Sequence, residues 1–149
     1  ATMTSAFRVD LSMVLDTSAI LAILFGEPEA NGMVRAIAAE ESRLIGAATV
    51  VEASAVMQAR KGPGGDVALD ALLRRLSVET VPVTSSAASR ARLAYGRFGK
   101  GVGSPAVLNH GDCLAYGVAM SLGEPLLFKG DDFPQTDVDA VVYRASPAE

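Results

Sequence analysis

The chain has 149 residues and a formal net charge of −4 at pH 7. Half of the residues are hydrophobic, 5% are aromatic and none is tryptophan, a composition typical of a folded domain with an aliphatic core. The acidic balance argues against a protein that coats DNA or a membrane surface. A single cysteine excludes an internal disulfide framework. No apolar run approaches the ~20 residues that span a bilayer, and no secretory signal is recognisable, so we expect a cytoplasmic protein.

The chain is expected to form one domain. Residues 1–12 show no periodicity and are interpreted as a flexible leader or a remnant of cloning, residues 13–145 as the domain, and residues 146–149 as a tail. Within the domain, short apolar stretches alternate with amphipathic ones, and the Gly-Pro-Gly-Gly run at 62–65 is the clearest break. The predicted strands are 14–15, 43–46, 78–83, 125–128 and 140–143, and the predicted helices are 19–25, 27–41, 49–61, 66–76, 85–98 and 110–122.

This alternation is typical of parallel βαβ units. It predicts an α/β fold, a three-layer α/β/α sandwich with a short-stranded, mostly parallel central sheet. Pro82 lacks a backbone N–H, so the third predicted strand should lie at an edge or end at that residue.

Acidic residues follow the strands of this predicted sheet. Asp16 comes directly after the first strand, while Glu52 and Asp112 lie in the first turns of the third and sixth helices. Asp131 or Asp132 follows the fourth strand. Because the carboxyl ends of parallel strands and the helix N-termini beside them meet at one edge of the sheet, we expect these acids to line a single crevice.

A crevice of this kind predicts a metal site. Crowded carboxylates repel one another, and one of them would be protonated unless a cation is present. Ligands that are all oxygen suit Mg²⁺ or Mn²⁺, and such ions activate water and neutralise charge on a phosphoryl group. With one histidine and one cysteine in the chain, a zinc site is disfavoured.

Each acid also has a purely structural explanation. Glu52 could close a capping box with Thr49, Asp112 could be favoured by the helix dipole, and the acids at 131 and 132 could be turn residues. Asp16 has the weakest such explanation, because a charge directly after a buried strand is costly to desolvate. The agreement of all the acids on one edge favours the functional interpretation.

The motifs that carry these acids resemble those of PIN-domain ribonucleases, and more closely those of the VapC toxins of bacterial toxin–antitoxin pairs. The resemblance extends over residues 13–142. No single motif is specific, but four of them in order at family-like spacing are. The motifs are VLDTSA at 14–19, TVVEA at 49–53, LNHGDCLAY at 108–116 and LLFKGDDF at 126–133.

The resemblance implies a Mg²⁺- or Mn²⁺-dependent endoribonuclease toxin whose substrate is an RNA such as tRNA or rRNA. Asp16, Glu52 and Asp112 would be the metal ligands, and Ser18 would line the site through its hydroxyl. Members of the family are usually homodimers that a small VapB-like antitoxin neutralises, in a heterotetramer or a larger complex. The antitoxin also binds promoter DNA. No membrane partner is implied.

The fourth acid departs from the family's pattern. Many PIN domains carry it two residues before an Asp-Phe pair, which is the position of Gly130 in this chain. Asp131 could substitute for it, Asp132 could be the relevant group, or three acids could suffice. We assign the catalytic role to Asp131.

Positive charge beside the Gly-rich loop at 99–108 indicates where RNA would bind. Arg97 and Lys100 border this loop and would offset the repulsion between the acids and phosphate, although a solvated helix face explains them equally well.

Two other functions are considered, a PIN module that acts mainly by binding protein or RNA, and a phosphatase with an aspartyl nucleophile. The phosphatase is disfavoured because Ser18 stands where that chemistry usually places a second Asp.

Overall fold

The computed structural model describes residues 12–144. The predicted tail, 146–149, and the predicted leader, 1–12, lie outside the described residues, except that Ser12 belongs to the first strand. The strands are β1 (Ser12–Leu15), β2 (Ser42–Gly46), β3 (Glu79–Val81) and β4 (Leu126–Leu127). The helices are α1 (Thr17–Leu24), α2 (Ala30–Ala38), α3 (Ala47–Lys61), α4 (Pro63–Arg75), α5 (Ser85–Phe98) and α6 (His110–Leu122).

The four strands form one parallel sheet in the order β3-β2-β1-β4. In this register Val14 lies opposite Leu44 on one side and Leu126 on the other. The Asp16 backbone N–H donates to the Leu127 carbonyl at 2.9 Å. β1 is thus an inner strand, and its carboxyl end is aligned with that of β4. As Pro82 predicted, β3 is an edge strand that ends just before the proline.

Hydrophobic cores cover both faces of the sheet, because successive side chains of a strand point to opposite sides. Met13 and Leu15 belong to one core with side chains of α1 to α4, whereas Val14 belongs to the other with side chains of α5 and α6. This arrangement confirms the predicted three-layer sandwich. No helix within residues 12–144 combines the length and the hydropathy needed to cross a bilayer.

Three helices, α1, α3 and α4, begin earlier than predicted, and the shifts of α1 and α3 bear on the acids. Asp16 itself is the N-cap of α1, which starts at Thr17 and not at residue 19. α3 starts at Ala47 after an extended Gly46, so Thr49 is not its cap. Glu52 consequently lies in the second turn of α3, and the proposed capping box with Thr49 does not form.

The Gly-Pro-Gly-Gly run is not a four-residue break. Gly62 alone makes the turn, with φ of 69°, and α4 begins at Pro63, where proline's fixed φ and missing N–H suit the first helical position. Gly65 lets α4 approach α3 closely, since a Cβ there would lie 2.3 Å from the Met57 carbonyl oxygen. The first turn of α4, which was predicted to be part of a break, thus packs directly against α3.

The prediction of a last strand at residues 140–143 was wrong. Only an isolated bridge joins Ala140 to Leu126, and the chain then lies against α2. A Cβ on Gly32 would meet the Arg144 carbonyl oxygen at 2.1 Å, and the Arg35 guanidinium donates to the same oxygen at 3.0 Å. α2 itself begins at Ala30, three residues later than predicted, because the preceding acidic residues form a turn.

Candidate active site

Asp16 is the most buried acid of the site, with 3% of its surface exposed. Its Oδ2 accepts hydrogen bonds from the Ser18 backbone N–H (3.0 Å) and the Ser18 hydroxyl (2.6 Å). Its Oδ1 is buried and has no hydrogen-bond partner among the described residues. Burial raises the pKa of Asp16 to about 6, the Ser18 bonds oppose this rise, and the charges of Asp112 and Glu52 add to it. No positive charge within residues 12–144 contributes to the pKa of Asp16, so its ionised form is not compensated by any described cation.

Glu52 is held between α1 and α6. Its Oε1 accepts a short hydrogen bond from the Thr17 hydroxyl, and its carboxylate lies directly over Gly111, where a Cβ would approach Oε2 to 2.1 Å. These contacts bring a residue of α3 beside the start of α1, next to Asp16, and beside the start of α6, next to Asp112. The negative charges of Glu52 and Asp112 repel each other, and this repulsion contributes to the raised pKa of Asp112.

Asp112 occupies the first turn of α6 and closes a capping box with Asn109. The Asp112 N–H donates to Asn109 Oδ1 at 2.8 Å, and Asp112 Oδ2 accepts the Asn109 N–H at 3.0 Å. The pKa of Asp112 is nevertheless raised, first by burial and then by the charges of Glu52 and Asp132, with the Asn109 bond opposing. The capping box gives Asp112 a structural role, but it does not remove the repulsion between Asp112 and the charges of Glu52 and Asp132.

Both candidates for the fourth acid are exposed in the turn after β4. Asp132 is the one whose charge acts on Asp112, and its Oδ1 accepts the Val107 N–H at 3.2 Å. The assignment of the role to Asp131 stays a prediction, and the geometry favours Asp132 as the alternative.

Ser18 connects the two strands that end at the site. Its hydroxyl donates to Asp16 and accepts the Lys129 backbone N–H at 2.9 Å. The Lys129 ammonium pairs with Glu27 at 2.8 Å and with Glu29 at 3.4 Å. Ser18 therefore orients Asp16. The Lys129 ammonium forms ion pairs with two acids that precede α2.

The two cations predicted to bind RNA differ in their surroundings. The Arg97 guanidinium lies over the Phe98 ring, 4.6 Å from its centroid, and pairs with Asp137 at 3.4 Å. Asp137 also accepts a 2.6 Å hydrogen bond from the Tyr116 hydroxyl. Arg97 thus helps to attach the C-terminal segment to α5 and α6. Lys100 is exposed at the start of the Gly-rich loop.

The donor set fits a hard divalent cation. Within residues 12–144, no three side chains of His, Cys, Asp or Glu form a preassembled coordination shell. Mg²⁺, however, is usually held by one or two carboxylates with water in its other positions. The unpartnered Asp16 oxygen and the raised pKa values of Asp16 and Asp112 are what a cation at this point would relieve.

The sequence analysis missed two residues of the site. Thr17 was given no role in the site, yet its hydroxyl donates a hydrogen bond to Glu52, 35 positions away in sequence. Gly111 was not considered, although a glycine in the first turn of a helix, where it is unfavourable, was a visible signal. The signal for Thr17 was weaker, because a hydroxyl beside a capping aspartate is common.

Comparisons with known proteins assign this architecture to a family. Residues 13–139 match the family profile described as PIN domain. Ribonuclease VapC30 of Mycobacterium tuberculosis is 45% identical over 129 residues, which cover 87% of this chain and 98% of the relative. Ribonuclease VapC of Mycolicibacterium smegmatis is 46% identical over 129 residues, covering 87% of this chain and 99% of the relative.

Two crystal structures share the fold. Mycobacterium tuberculosis VapC20, described as a Sarcin-Ricin loop cleaving toxin, superposes with a TM-score of 0.71 at 17% identity, covering 89% of this chain and 99% of that one. VapBC2 from Rickettsia felis, bound to a DNA fragment from its promoter, superposes with a TM-score of 0.69 at 15% identity and the same coverage.

Proposed function

Because this chain belongs to the PIN-domain family and is similar along most of its length to VapC ribonucleases, we propose that it is an endoribonuclease toxin whose Asp16, Glu52 and Asp112 hold Mg²⁺ or Mn²⁺. The single observation that carries the site assignment is the state of Asp16. This carboxylate is 3% exposed, has one oxygen without a hydrogen-bond partner in residues 12–144 and lies within the fields of two other acids, so a bound cation would stabilise its ionised form.

The residues of the site have separable tasks. Asp16 offers its unpartnered Oδ1 as a ligand, while Ser18 holds the other oxygen. Glu52 and Asp112 supply the remaining negative charge, and Asp132 or Asp131 extends it toward the loop at 99–108. When bound, the divalent ion would supply Lewis-acid stabilisation for the attack of water on the phosphodiester.

The substrate is proposed to be a structured RNA, tRNA or rRNA. The Sarcin-Ricin loop named for VapC20 is the precedent among the structural neighbours. Of the two cations proposed to contact the phosphates, Lys100 is the better candidate, because Arg97 already pairs with Asp137. Contacts to phosphate give affinity without sequence information, so the choice of RNA would come from the shape of the surrounding loops.

The partner is proposed to be a small VapB-like antitoxin, with which the toxin, as a homodimer, would form a heterotetramer or a larger complex. The VapBC2 structure from Rickettsia felis supports a partner of this kind. Since the substrate and the antitoxin are cytoplasmic molecules in this proposal, the cytoplasm is the proposed site of action.

The test is cleavage of total cellular RNA by purified protein with Mg²⁺, with Mn²⁺ and with EDTA. Discrete metal-dependent fragments are expected, and Asp16→Asn or Asp112→Asn should lower the rate about 100-fold or more, as removal of one electrostatic stabiliser typically does. Asp70→Asn on the exposed face of α4 is the matched control and should keep full activity. Full activity in a folded Asp16→Asn or Asp112→Asn protein would contradict the site assignment.

A further inference from the structure

We propose that Thr17 and Gly111 are positioning residues that together fix the Glu52 carboxylate in the site, one through a hydrogen bond and the other through the space it leaves. This inference rests on the proposed function, because it concerns how a proposed metal ligand is oriented. It assigns a role to two residues that carry no charge and bind no metal.

Thr17 orients one oxygen of Glu52. Its side chain is nearly buried, with the residue 8% exposed, so its hydroxyl needs a partner. The partner is Glu52 Oε1, and a hydrogen bond to an ionised acceptor is about twice as strong as a neutral one. Since Thr17 directly follows Asp16, this bond couples the position of Glu52 to the backbone that carries Asp16.

Gly111 makes room for the rest of the carboxylate. A Cβ at this position would lie 2.1 Å from Glu52 Oε2 and 2.5 Å from both Cδ and Oε1. The backbone of Gly111 is not in the left-handed region, so its conformation does not require glycine. Alanine is the better residue in a helix, by up to about 1 kcal/mol. The contact with Glu52 is therefore the reason that the structure offers for glycine here.

Glu52 needs such restraint because its neighbours repel it. A glutamate has three side-chain torsions, and rotation away from Asp16 and Asp112 would lower the electrostatic energy of the metal-free site. The Thr17 hydroxyl and the Gly111 surface act on the same carboxylate from α1 and from α6. Ligands that are already oriented lower the free-energy cost of binding, because they lose little further conformational freedom when the cation binds.

Gly111→Ala gives the sharpest test, since it separates stability from positioning. The three atoms nearest to the new methyl group all belong to the end of the flexible Glu52 side chain, so thermal stability should be unchanged or slightly higher. Affinity for Mn²⁺, measured by titration calorimetry, should fall about 10- to 100-fold, as it does when the groups that orient metal ligands are altered. Gly96→Ala is the matched control, because a Cβ there meets open space on α5, and it should keep wild-type affinity and activity.

Thr17→Val tests the hydrogen bond, and Thr17→Ser, which keeps the hydroxyl, should restore most of the lost Mn²⁺ affinity. Thr84→Val is a control for general destabilisation, since it removes the N-cap hydroxyl of α5. Each substitution is also combined with Glu52→Gln. If Thr17 and Gly111 act through Glu52, the combined variants should bind Mn²⁺ no more weakly than Glu52→Gln alone.

Wild-type protein is measured first, which keeps the two hypotheses apart. Folded wild-type protein that neither binds Mn²⁺ nor cleaves RNA would overturn the proposed function. Active wild-type protein, with wild-type Mn²⁺ affinity in Gly111→Ala and Thr17→Val, would overturn the positioning inference alone. The positioning inference would also be overturned if the losses of Mn²⁺ affinity in Gly111→Ala and Thr17→Val added fully to the loss caused by Glu52→Gln. If Thr17→Val does not fold, Gly111→Ala and its combination with Glu52→Gln decide the matter.

Discussion

Asp16→Asn is expected to stabilise the metal-free protein while it removes nuclease activity. The Asp16 side chain is buried, and one of its oxygens has no hydrogen-bond partner in the part of the chain that the structure describes. Burial and the neighbouring acids raise its pKa from 3.8 to about 6. Asparagine keeps an oxygen that can accept the two Ser18 hydrogen bonds but carries no charge. The variant therefore escapes the cost of folding around an uncompensated carboxylate.

The size of this gain follows from the shifted pKa. The shift is about two units, and each unit corresponds to about 1.4 kcal/mol, which gives a gain of up to about 3 kcal/mol. Because the pKa is higher in the folded state, the folded protein binds more protons than the unfolded chain between pH 4 and 6. Wild-type stability should thus fall as pH rises through this window, and the advantage of Asp16→Asn should grow from near zero at pH 4 to its full value above pH 6.

Urea denaturation in EDTA at pH 4.5 and pH 8 measures this difference directly. Asp70→Asn, which loses only an exposed ion pair on α4, should change stability by less than about 0.5 kcal/mol at either pH. An Asp16→Asn protein that is no more stable than wild type at pH 8, or whose gain is the same at both pH values, would refute the reasoning. Excess Mn²⁺ should reverse the order, since it stabilises only the protein that binds it.

Two further predictions concern the scaffold. Gly65→Ala should destabilise the protein by about 2 kcal/mol or more, because its Cβ would meet the Met57 carbonyl oxygen at 2.3 Å, whereas Gly64→Ala meets open space and should be neutral in the same urea titration. Tyr116→Phe should cost about 1 kcal/mol at pH 7 by removing the 2.6 Å bond to Asp137. That bond lowers the pKa of Asp137, so the cost should shrink as pH falls below about 4, and an equal cost at pH 3 and pH 7 would contradict this account.

The parts of the fold that local chemistry controls were predictable from sequence. The start of α5 was predicted at residue 85, and the Thr84 side chain caps the helix there. The end of α6 was predicted at residue 122, and Gly123 directly after it adopts a φ of 68°. The apolar pattern around Val14 predicted a buried parallel strand. Asp16 directly follows this strand, at a position where the desolvation of a charge is costly unless the charge has a function. These signals lie within a few residues of the features they predict.

The parts that failed depend on contacts between distant segments. The strand predicted at 140–143 has the right composition, but Gly32 offers the C-terminal segment a close approach to α2 instead. The capping box that was weighed as an alternative explanation of Glu52 does not form at Thr49, because α3 starts at Ala47. Asn109 and Asp112 form one at the start of α6. The bond between Thr17 and Glu52 was equally invisible, since nothing within either motif indicates the other residue.

The order in which the chain is synthesised gives the Ser18–Lys129 contact a further meaning. These residues are 111 positions apart, and the Asp16 N–H finds its acceptor only in β4. The first acid therefore leaves the ribosome long before the segment that fixes its place in the sheet. A growing chain therefore exposes Asp16, Glu52 and Asp112 before residues 127 and 129 are available to complete the contacts that hold Asp16 and Ser18 in place.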